Sequence, residues 1–557
     1  MERVPRIGLG CMRLSTLPDR DRRRGIATVH AALDAGVRLL DTSDAYCLDH
    51  ADVGHNERLI RDALQSWSGD VGEVVVATKG GLTRPRGNWV PDGRGKHLKA
   101  ACAASLVALG VDQIELYQLH TLDPKTKIST SVRALAKLQK DGLIRHIGLC
   151  NVRVHEVEEA LQHARIASVQ VSFGPYDDTA IRNGLLEFCA NNHIAFIAHS
   201  PMGGYRRRRR KSPYTRAQML GWTASLGAIP IPGARSPEHA TINAVLDDPD
   251  PAMDASYPAA QWMRNRPSPP SADADGEVTI LMGMPASGKT SAVLPWVDRG
   301  YFRLNRDKRG GTLAALLPLL DEGLASGKRH AVLDNTYPQR SKRNRIVEIA
   351  WRHGIPVRCV WLQTTLEEAQ RNACERMIGR YGRLLTPAEM KKSAGVDPNS
   401  FPPRVLHHYL RELEAPREDE GFACVDRIPF TRFEPPGSGS AILLDLDAVR
   451  PTEAAKSRLL AYDGIALGMT WIPKGDPDAA AEAARATWGV DMDVETCVHP
   501  PGAPICWCRR PLPGIGVVFT HRHGLDPAKV TVIGDSTSNK GFARRCGFAI
   551  TSVESWN

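Results

Sequence analysis

Four groups of residues in this 557-residue sequence have the types and spacing to do chemistry. The first is VTILMGMPASGKT, Val278 to Thr290, an apolar run that stops at Gly283 and continues as G-x-x-x-x-G-K-T. That order is the strand, glycine turn and helix start of a phosphate-binding loop. Gly283 and Gly288, with Ser287 and Ser291 beside them, would let backbone N–H groups cradle phosphate oxygens. Lys289 would reach the terminal phosphates of ATP, and the Thr290 hydroxyl would hold Mg²⁺. The second group is AILLDLD, which delivers Asp445 and Asp447 two residues apart, on one side of a strand where it ends. The third is Cys497-x-His499 followed by Cys506-x-Cys508 in a Pro-rich loop. Three thiolates and one imidazole form a closed tetrahedral set, the signature of structural rather than catalytic Zn²⁺. The fourth is a series of polar residues that end apolar runs in the first half: Asp41 with Tyr46, then Lys79, then His120.

Elements that could position these groups follow from the pattern around them. Strand-like runs at residues 37–41, 74–78, 114–120, 146–151, 168–172, 194–199 and 228–232 alternate with helical stretches. Such alternation predicts a (β/α)₈ barrel, with chemistry where strands end and βα loops begin. The Pro, Ser and Asp-rich stretch RNRPSPPSADADG and the shorter PPGSGS read as linkers. They divide the chain into a barrel at 1–263, a linker at 264–276, a P-loop domain at 277–434, a linker at 435–440 and a last domain at 441–557. Net charge is +10, compatible with a polyanionic partner without naming one. The twelve cysteines are mostly scattered singly, as reduced core thiols are. With neither a signal-peptide pattern nor an apolar run of membrane-spanning length, the sequence predicts a soluble cytoplasmic protein without a membrane partner.

The first segment resembles the aldo-keto reductase family through GLGCMRL, LLDTSDAY, VVVATKGG, IELYQLH, IGLCNV, SVQVSF, AHSPMGG and IPIPGARSPEHATIN. The resemblance implies that Tyr46 protonates a carbonyl while NADPH or NADH delivers hydride. It also implies that Lys79 and Asp41 lower the pKa of Tyr46 and that His120 orients the carbonyl. Asn151, Gln170 and Ser200 would hold the nicotinamide end of the cofactor, and Gly233, Arg235 and Asn243 the adenosine-phosphate end. Cys150 stands where the family usually has serine, His199 where an aromatic ring usually stacks, and His239 where arginine is frequent. The run RRRRRK, Arg206 to Lys211, reads either as a site for a phosphorylated substrate or as a solvated loop.

FRLNRDKRGGT, HAVLDNTYPQRSKRNR, VRCVWLQTTLEEAQRNACERM and EAPREDEGFACV resemble the 5′-hydroxyl kinase domain of polynucleotide kinase-phosphatases. That implies Asp307 as the general base, Arg376 as the lid arginine on the transferring phosphoryl group, Arg343 as a substrate contact and Asp334 as an Mg²⁺-proximal acid. The last segment resembles a 3′-phosphatase module of the haloacid-dehalogenase type, a Rossmann-like α/β fold, through AILLDLD, CVHPPGAPICWCRRPLPG and VTVIGDSTSNKGFA. Asp445 would be the nucleophile, Asp447 the general acid and base, and Thr470 and Arg510 substrate contacts. Asp535 would join Asp445 and Asp447 as an Mg²⁺ ligand. Ala448-Val449 replaces Gly-Thr, Arg510 replaces lysine and Asn539 replaces a second acidic ligand, departures that predict a weakened phosphatase. Together the resemblances imply a multifunctional α/β enzyme working on DNA or RNA ends and on a carbonyl compound or sugar aldehyde. The alternative is a metabolic reductase whose fused domains are degenerate or scaffolding.

Overall fold

Eight short strands of the first unit, Met1–Ser268, pair in chain order with every ladder parallel. They are β1 Leu9–Gly10, β2 Leu39–Asp41, β3 Val75–Gly80, β4 Ile114–Leu119, β5 Ile144–Cys150, β6 Ile166–Ser172, β7 Ala195–His199 and β8 Ala228–Ile231. The computed structural model describes residues 5–204, 212–248, 250–393, 397–432, 437–502 and 506–556, so the arginine run at 206–211 lies outside the described residues. The barrel closes where the Gly8 N–H donates to the Pro230 carbonyl at 3.0 Å and the Gly10 N–H to the Pro232 carbonyl at 3.1 Å. A Cβ on Gly10 would stand 2.9 Å from the Ile231 carbonyl oxygen, so this seam needs glycine. Leu39, Ala77, Leu116, Ile197, Ile229 and Ile231 fill the interior, which is therefore a packed core and not a pore. The seven apolar runs read from the sequence each overlap one of seven strands, four of which lie wholly inside their run. The eighth, β1, has two residues and no periodicity to register.

The second unit, Pro269–Asn557, contains two parallel five-stranded sheets. One has strands β9 Glu277–Met282, β10 Phe302–Leu304, β11 His330–Asn335, β12 Val357–Gln363 and β13 Cys424–Pro429, in the order β10-β11-β9-β12-β13. The other has β14 Gly439–Asp445, β15 Ile465–Trp471, β16 Asp493–Cys497, β17 Leu525–Ile533 and β18 Ala549–Thr551, in the order β16-β15-β14-β17-β18. In both, the first strand is central and its neighbours leave in opposite directions. Ligands of doubly wound sheets sit at that crevice, beyond the carboxyl ends of the strands. Because β14 already begins at Gly439, the linker expected at 435–440 overlaps a strand.

Helix Leu366–Tyr381, opened by a Thr365/Glu368 capping box, packs between the two sheets' layers. Its Arg371 donates to the Cys546 carbonyl at 3.3 Å, and Arg545 donates to Gln370 at 2.7 Å. Trp507 is 1% exposed and sits in one apolar cluster with Met284, Met377, Leu385, Phe401 and Leu406. Its indole N–H is satisfied by the Phe401 carbonyl at 2.9 Å. Among the described residues no helix is long and apolar enough to cross a membrane.

Candidate active sites

Strand ends of the barrel bring Asp41, Tyr46 and His120 to the lining of a cavity of about 1630 Å³, with Lys79 fully buried beside Asp41 and Tyr46. Asp41 ends β2, Lys79 stands near the end of β3, His120 follows β4, and Tyr46 lies on the turn after β2. Lys79 is fully buried, and an ammonium there is tolerable only with several acceptors. It has three: Asp41 Oδ1 at 2.7 Å, the Thr42 carbonyl at 2.8 Å and Tyr46 Oη at 3.1 Å. Because Lys79 donates to the phenol oxygen, the Tyr46 O–H remains free to donate into the cavity. Asp41 Oδ1 also accepts from Gln170 Nε2 at 2.7 Å. Burial shifts the Lys79 ammonium downward, but the adjacent Asp41 carboxylate leads the opposing pulls and the net shift is upward.

The expectation that Lys79 and Asp41 together lower the pKa of Tyr46 is corrected. Burial pushes the phenol upward, Lys79 pulls it back only in part, and Asp41 pushes it further up. Tyr46 therefore stays protonated at ordinary pH and is a proton donor rather than a base. His120 is held well below the ordinary imidazole range by burial, then by Lys79 and His199, so it is neutral.

Asn151 and Ser200, at the ends of β5 and β7, both have left-handed backbones, with φ of 57° and 53°. Asn151 Nδ2 donates to the His120 carbonyl at 3.0 Å, while its Oδ1 lies 3.3 Å from His199 Nε2 and Ser200 Oγ lies 3.2 Å from His199 Nδ1. At the far end of the cavity stand Gly233, Arg235, His239 and Asn243. Arg235 pairs with Asp19 at 2.5 Å, and Asn243 donates to the Gly233 carbonyl at 3.2 Å while its buried Oδ1 has no partner among the described residues. An orphaned buried acceptor asks for a donor. A cavity of this volume, lined by polar groups from several strand ends, could hold a dinucleotide. The sequence reading missed Trp89, whose ring lies edge-on to Tyr46 and to His120 with centroids 6.3 Å away in each case. Its signal was a lone tryptophan in GNWVP, on a loop following a barrel strand.

In the second unit, β9 leads into the phosphate loop, where Ala286 and Gly288 have φ of 64° and 86°. Such left-handed residues turn successive N–H groups toward one centre. Ser287 is buried, and Thr290 and Ser291 are exposed at the helix start. Lys289 Nζ donates to the carbonyls of Gly283 at 2.8 Å and Met284 at 2.7 Å. Burial and then the nearby Arg376 push Lys289 down to about 7, against the opposing pull of Asp307 and Asp334. Two cations crowded this way attract a polyanion. Asn372 donates to the Ala286 carbonyl at 2.8 Å, and Arg376 follows one helical turn later on the same face of Leu366–Tyr381. Asp307 is half-exposed and pairs with Arg306 at 2.7 Å.

Two expected roles are corrected here. Arg343 is fully buried, donating to both oxygens of Glu420 at 2.6 and 2.8 Å and to the carbonyls of Tyr337 and Pro338 at 3.0 Å. With its donors spent inside the fold it is not a substrate contact. Glu420→Gln, which leaves that guanidinium uncompensated, is expected to cost about 3–5 kcal/mol, read as a lowered urea midpoint. Asp334 is also buried, gripped by Arg303 at 2.5 and 3.0 Å and by Asn305 at 3.1 Å. Its carboxylate is committed to Arg303 rather than open to Mg²⁺.

Asp445 ends β14, and Asp447, Thr470, Arg510 and Asn539 converge on it. Arg510 pairs with Asp445 and, at 2.5 Å, with Asp447, and donates to Asn539 Oδ1 at 2.8 Å. Asn539 Nδ2 donates to Asp445 at 2.8 Å, and the Thr470 hydroxyl to Asp447 at 2.6 Å. Asp535 lies beyond β17, where it accepts from the Val553 N–H at 3.1 Å. Nearby, the ligand atoms of Cys497, His499, Cys506 and Cys508 all lie within 4.8 Å of one another. Sulfur–sulfur distances of 3.9 and 3.4 Å bracket the ~3.8 Å edge of a tetrahedron with ~2.3 Å Zn–S bonds.

Comparison with known proteins bears on both units. Residues 6–220 match the aldo/keto reductase family model, and residues 278–383 match an AAA domain model. The chain is 31% identical over 241 residues to pyridoxine 4-dehydrogenase of Escherichia coli, covering 41% of this chain and 78% of that protein. The chain belongs to the aldo/keto reductase family. An uncharacterized oxidoreductase of Schizosaccharomyces pombe is 35% identical over 204 residues, 36% of this chain and 63% of its own length. A Bacillus subtilis oxidoreductase is 31% identical over 36% of this chain and 61% of its own length. The aldo/keto reductase part thus spans about three-fifths of those two relatives. Among solved structures, a glycerol dehydrogenase from Gluconobacter oxydans is 23% identical, covering 48% of this chain and 94% of its own, with a TM-score of 0.39.

Proposed function

We propose that the chain is a multifunctional end-processing enzyme: an NADP(H)- or NAD(H)-dependent carbonyl reductase joined to an ATP- and Mg²⁺-dependent 5′-hydroxyl polynucleotide kinase and a weakened Mg²⁺-dependent 3′-phosphatase. The observation that carries the reductase reading is Lys79 donating at 3.1 Å to a phenol whose own proton is left for the cavity. The nicotinamide supplies hydride when bound. Tyr46 gives its proton to the carbonyl oxygen, Lys79 stabilises the phenolate left behind, and neutral His120 hydrogen-bonds and orients the carbonyl. Asn151, Gln170 and Ser200 would face the nicotinamide end, and Gly233, Arg235 and Asn243 the adenosine-phosphate end. The open acceptor of Asn243 supports this. Two solved relatives, both from Klebsiella pneumoniae, are described as complexes with NADP and with NADPH.

In the second unit, Lys289, Thr290 and Arg376 around one phosphate cradle, with a half-exposed Asp307 at the neighbouring strand end, support phosphoryl transfer to a hydroxyl. The Asp445, Asp447, Thr470, Arg510 and Asn539 constellation supports phosphate-ester cleavage. Asp445 attacks phosphorus, Asp447 shuttles the proton, and Mg²⁺ would be held by these two aspartates with Asp535. Arginine and asparagine in place of lysine and a carboxylate weaken it. Zn²⁺ closes the loop of Cys497, His499, Cys506 and Cys508, and elemental analysis of chelator-washed protein is expected to find about one zinc per chain, falling in Cys506→Ser. A chain without zinc would make this loop a plain thiol cluster. The reductase reading is tested by titrating NADPH into the protein and following NADPH oxidation with an aldehyde panel. Absence of binding would leave the barrel a scaffold.

A further inference from the structure

Ser43 and Asp44, in the turn between Asp41 and Tyr46, have no part in the chemistry described so far, yet both are buried. Ser43 Oγ accepts from the Ala45 N–H at 3.1 Å, and lies 3.0 Å from Asp44 Oδ1 and 3.1 Å from His120 Nδ1. The Lys79 carbonyl, at 3.4 Å, is a weaker alternative acceptor. A hydroxyl has one proton and two lone pairs. With one lone pair taken by Ala45, Ser43 can donate to one of Asp44 and His120 and accept from the other.

Two proton arrangements therefore satisfy every group. In the first, a neutral Asp44 carboxyl donates to Ser43, Ser43 donates to His120 Nδ1, and the imidazole proton sits on Nε2, the nitrogen left for the cavity. In the second, ionised Asp44 accepts from Ser43, His120 donates from Nδ1, and Nε2 is a bare acceptor. Only the first can donate a hydrogen bond to a carbonyl oxygen. The second suits an alcohol.

We propose that Asp44, acting through Ser43, is the positioning residue that sets the tautomer of His120 and thereby whether the barrel site is poised for carbonyl reduction. This rests on the reductase reading above. Asp44 faces Glu57 on helix His55–Ser66, Lys79 on β3, Tyr117 on β4 and Cys47 on its own loop. His120 faces Lys79, His199 and the Tyr46 ring. Burial and then the Glu57 carboxylate push Asp44 up to about 8, while Ser43, the Ala45 N–H and Lys79 hold it from rising further. The donor arrangement is therefore present below about pH 8 and lost as pH rises through it. His120 does not ionise in that range, so the change is one of tautomer and not of imidazolium charge.

The test is imidazole-nitrogen NMR on the whole chain labelled at histidine, without cofactor, with His120 signals assigned by their loss in His120→Gln. Wild type is expected to carry the proton on Nε2 below about pH 7 and on Nδ1 above about pH 9, with Asp44→Asn fixed in one tautomer throughout. In parallel, kcat for aldehyde reduction is expected to fall about tenfold per pH unit above the midpoint in wild type. That limb should be absent in Asp44→Asn, with the KM for NADPH unchanged. Should Asp44→Asn not fold, Ser43→Ala cuts the same relay and is expected to abolish the pH-dependent switch. A wild-type His120 locked in one tautomer across this range, or an unmoved kcat limb in Asp44→Asn, overturns the relay. A tautomer switch in a protein that reduces no carbonyl supports the relay and overturns the reductase reading instead.

Discussion

Tyr46→Phe is expected to lose carbonyl reduction by roughly 10²–10⁴-fold in kcat, the range that one positioned proton donor supplies. The substitution removes one oxygen from a buried ring and keeps its packing against His120, whose centroid lies 5.5 Å away. Lys79 keeps two of its three acceptors, Asp41 and the Thr42 carbonyl, so the ammonium stays satisfied and the barrel stays folded. NADPH affinity, which would draw on Asn151, Gln170, Ser200, Gly233, Arg235 and Asn243 rather than on the phenol oxygen, should not change. Measuring kcat and nucleotide affinity on the same preparation separates this from unfolding. Reduction at the wild-type rate in Tyr46→Phe would mean that the proton comes from elsewhere.

Lys289→Ala and Asp307→Asn should fail in different ways. In the proposed kinase Lys289 would stand over the charge that spreads onto the phosphoryl oxygens, so its loss is expected to abolish both ATP hydrolysis and transfer. Its depressed pKa of about 7 adds a pH effect: burial and then Arg376 disfavour the charged form, and a bound polyphosphate would restore it. ATP binding by wild type is thus expected to take up a proton at alkaline pH, measurable by calorimetry in buffers of different ionisation enthalpy. Asp307→Asn should keep ATP binding and lose transfer to a 5′-hydroxyl by roughly 10²–10⁴-fold. Unimpaired transfer in that variant would remove the base assignment and favour a small-molecule acceptor.

The parts that were legible in the sequence are local. The phosphate loop is a contiguous strand, turn and helix start, and the cysteine cluster spans a dozen residues, so neither needs the tertiary fold to be seen. The barrel was legible as repeated apolar runs, except for its two-residue first strand. What stayed hidden depends on distant partners. Arg343 and Asp334 carry the types expected at a phosphate site, but Glu420 lies 77 residues from the one and Arg303 lies 31 from the other, and these pairings consume them. The net upward shift of Tyr46 comes from burial, which no spacing reveals. Ser43 read as part of a motif, and its link to His120 joins residues 77 positions apart. Trp507, between Cys506 and Cys508, sits in the apolar cluster beside the phosphate loop, a packing that depends on residues more than a hundred positions away.

The most direct test of the whole account is to incubate the full chain with Mg²⁺ and ATP labelled at its γ-phosphate, offering 5′-hydroxyl DNA and RNA oligonucleotides alongside 3′-hydroxyl-only strands and free sugars. The account predicts label on the 5′ ends, lost in Lys289→Ala, with oligonucleotide binding that weakens as salt rises because phosphate contacts release counterions. Label on a free sugar or other small molecule, with none on either oligonucleotide, would contradict it.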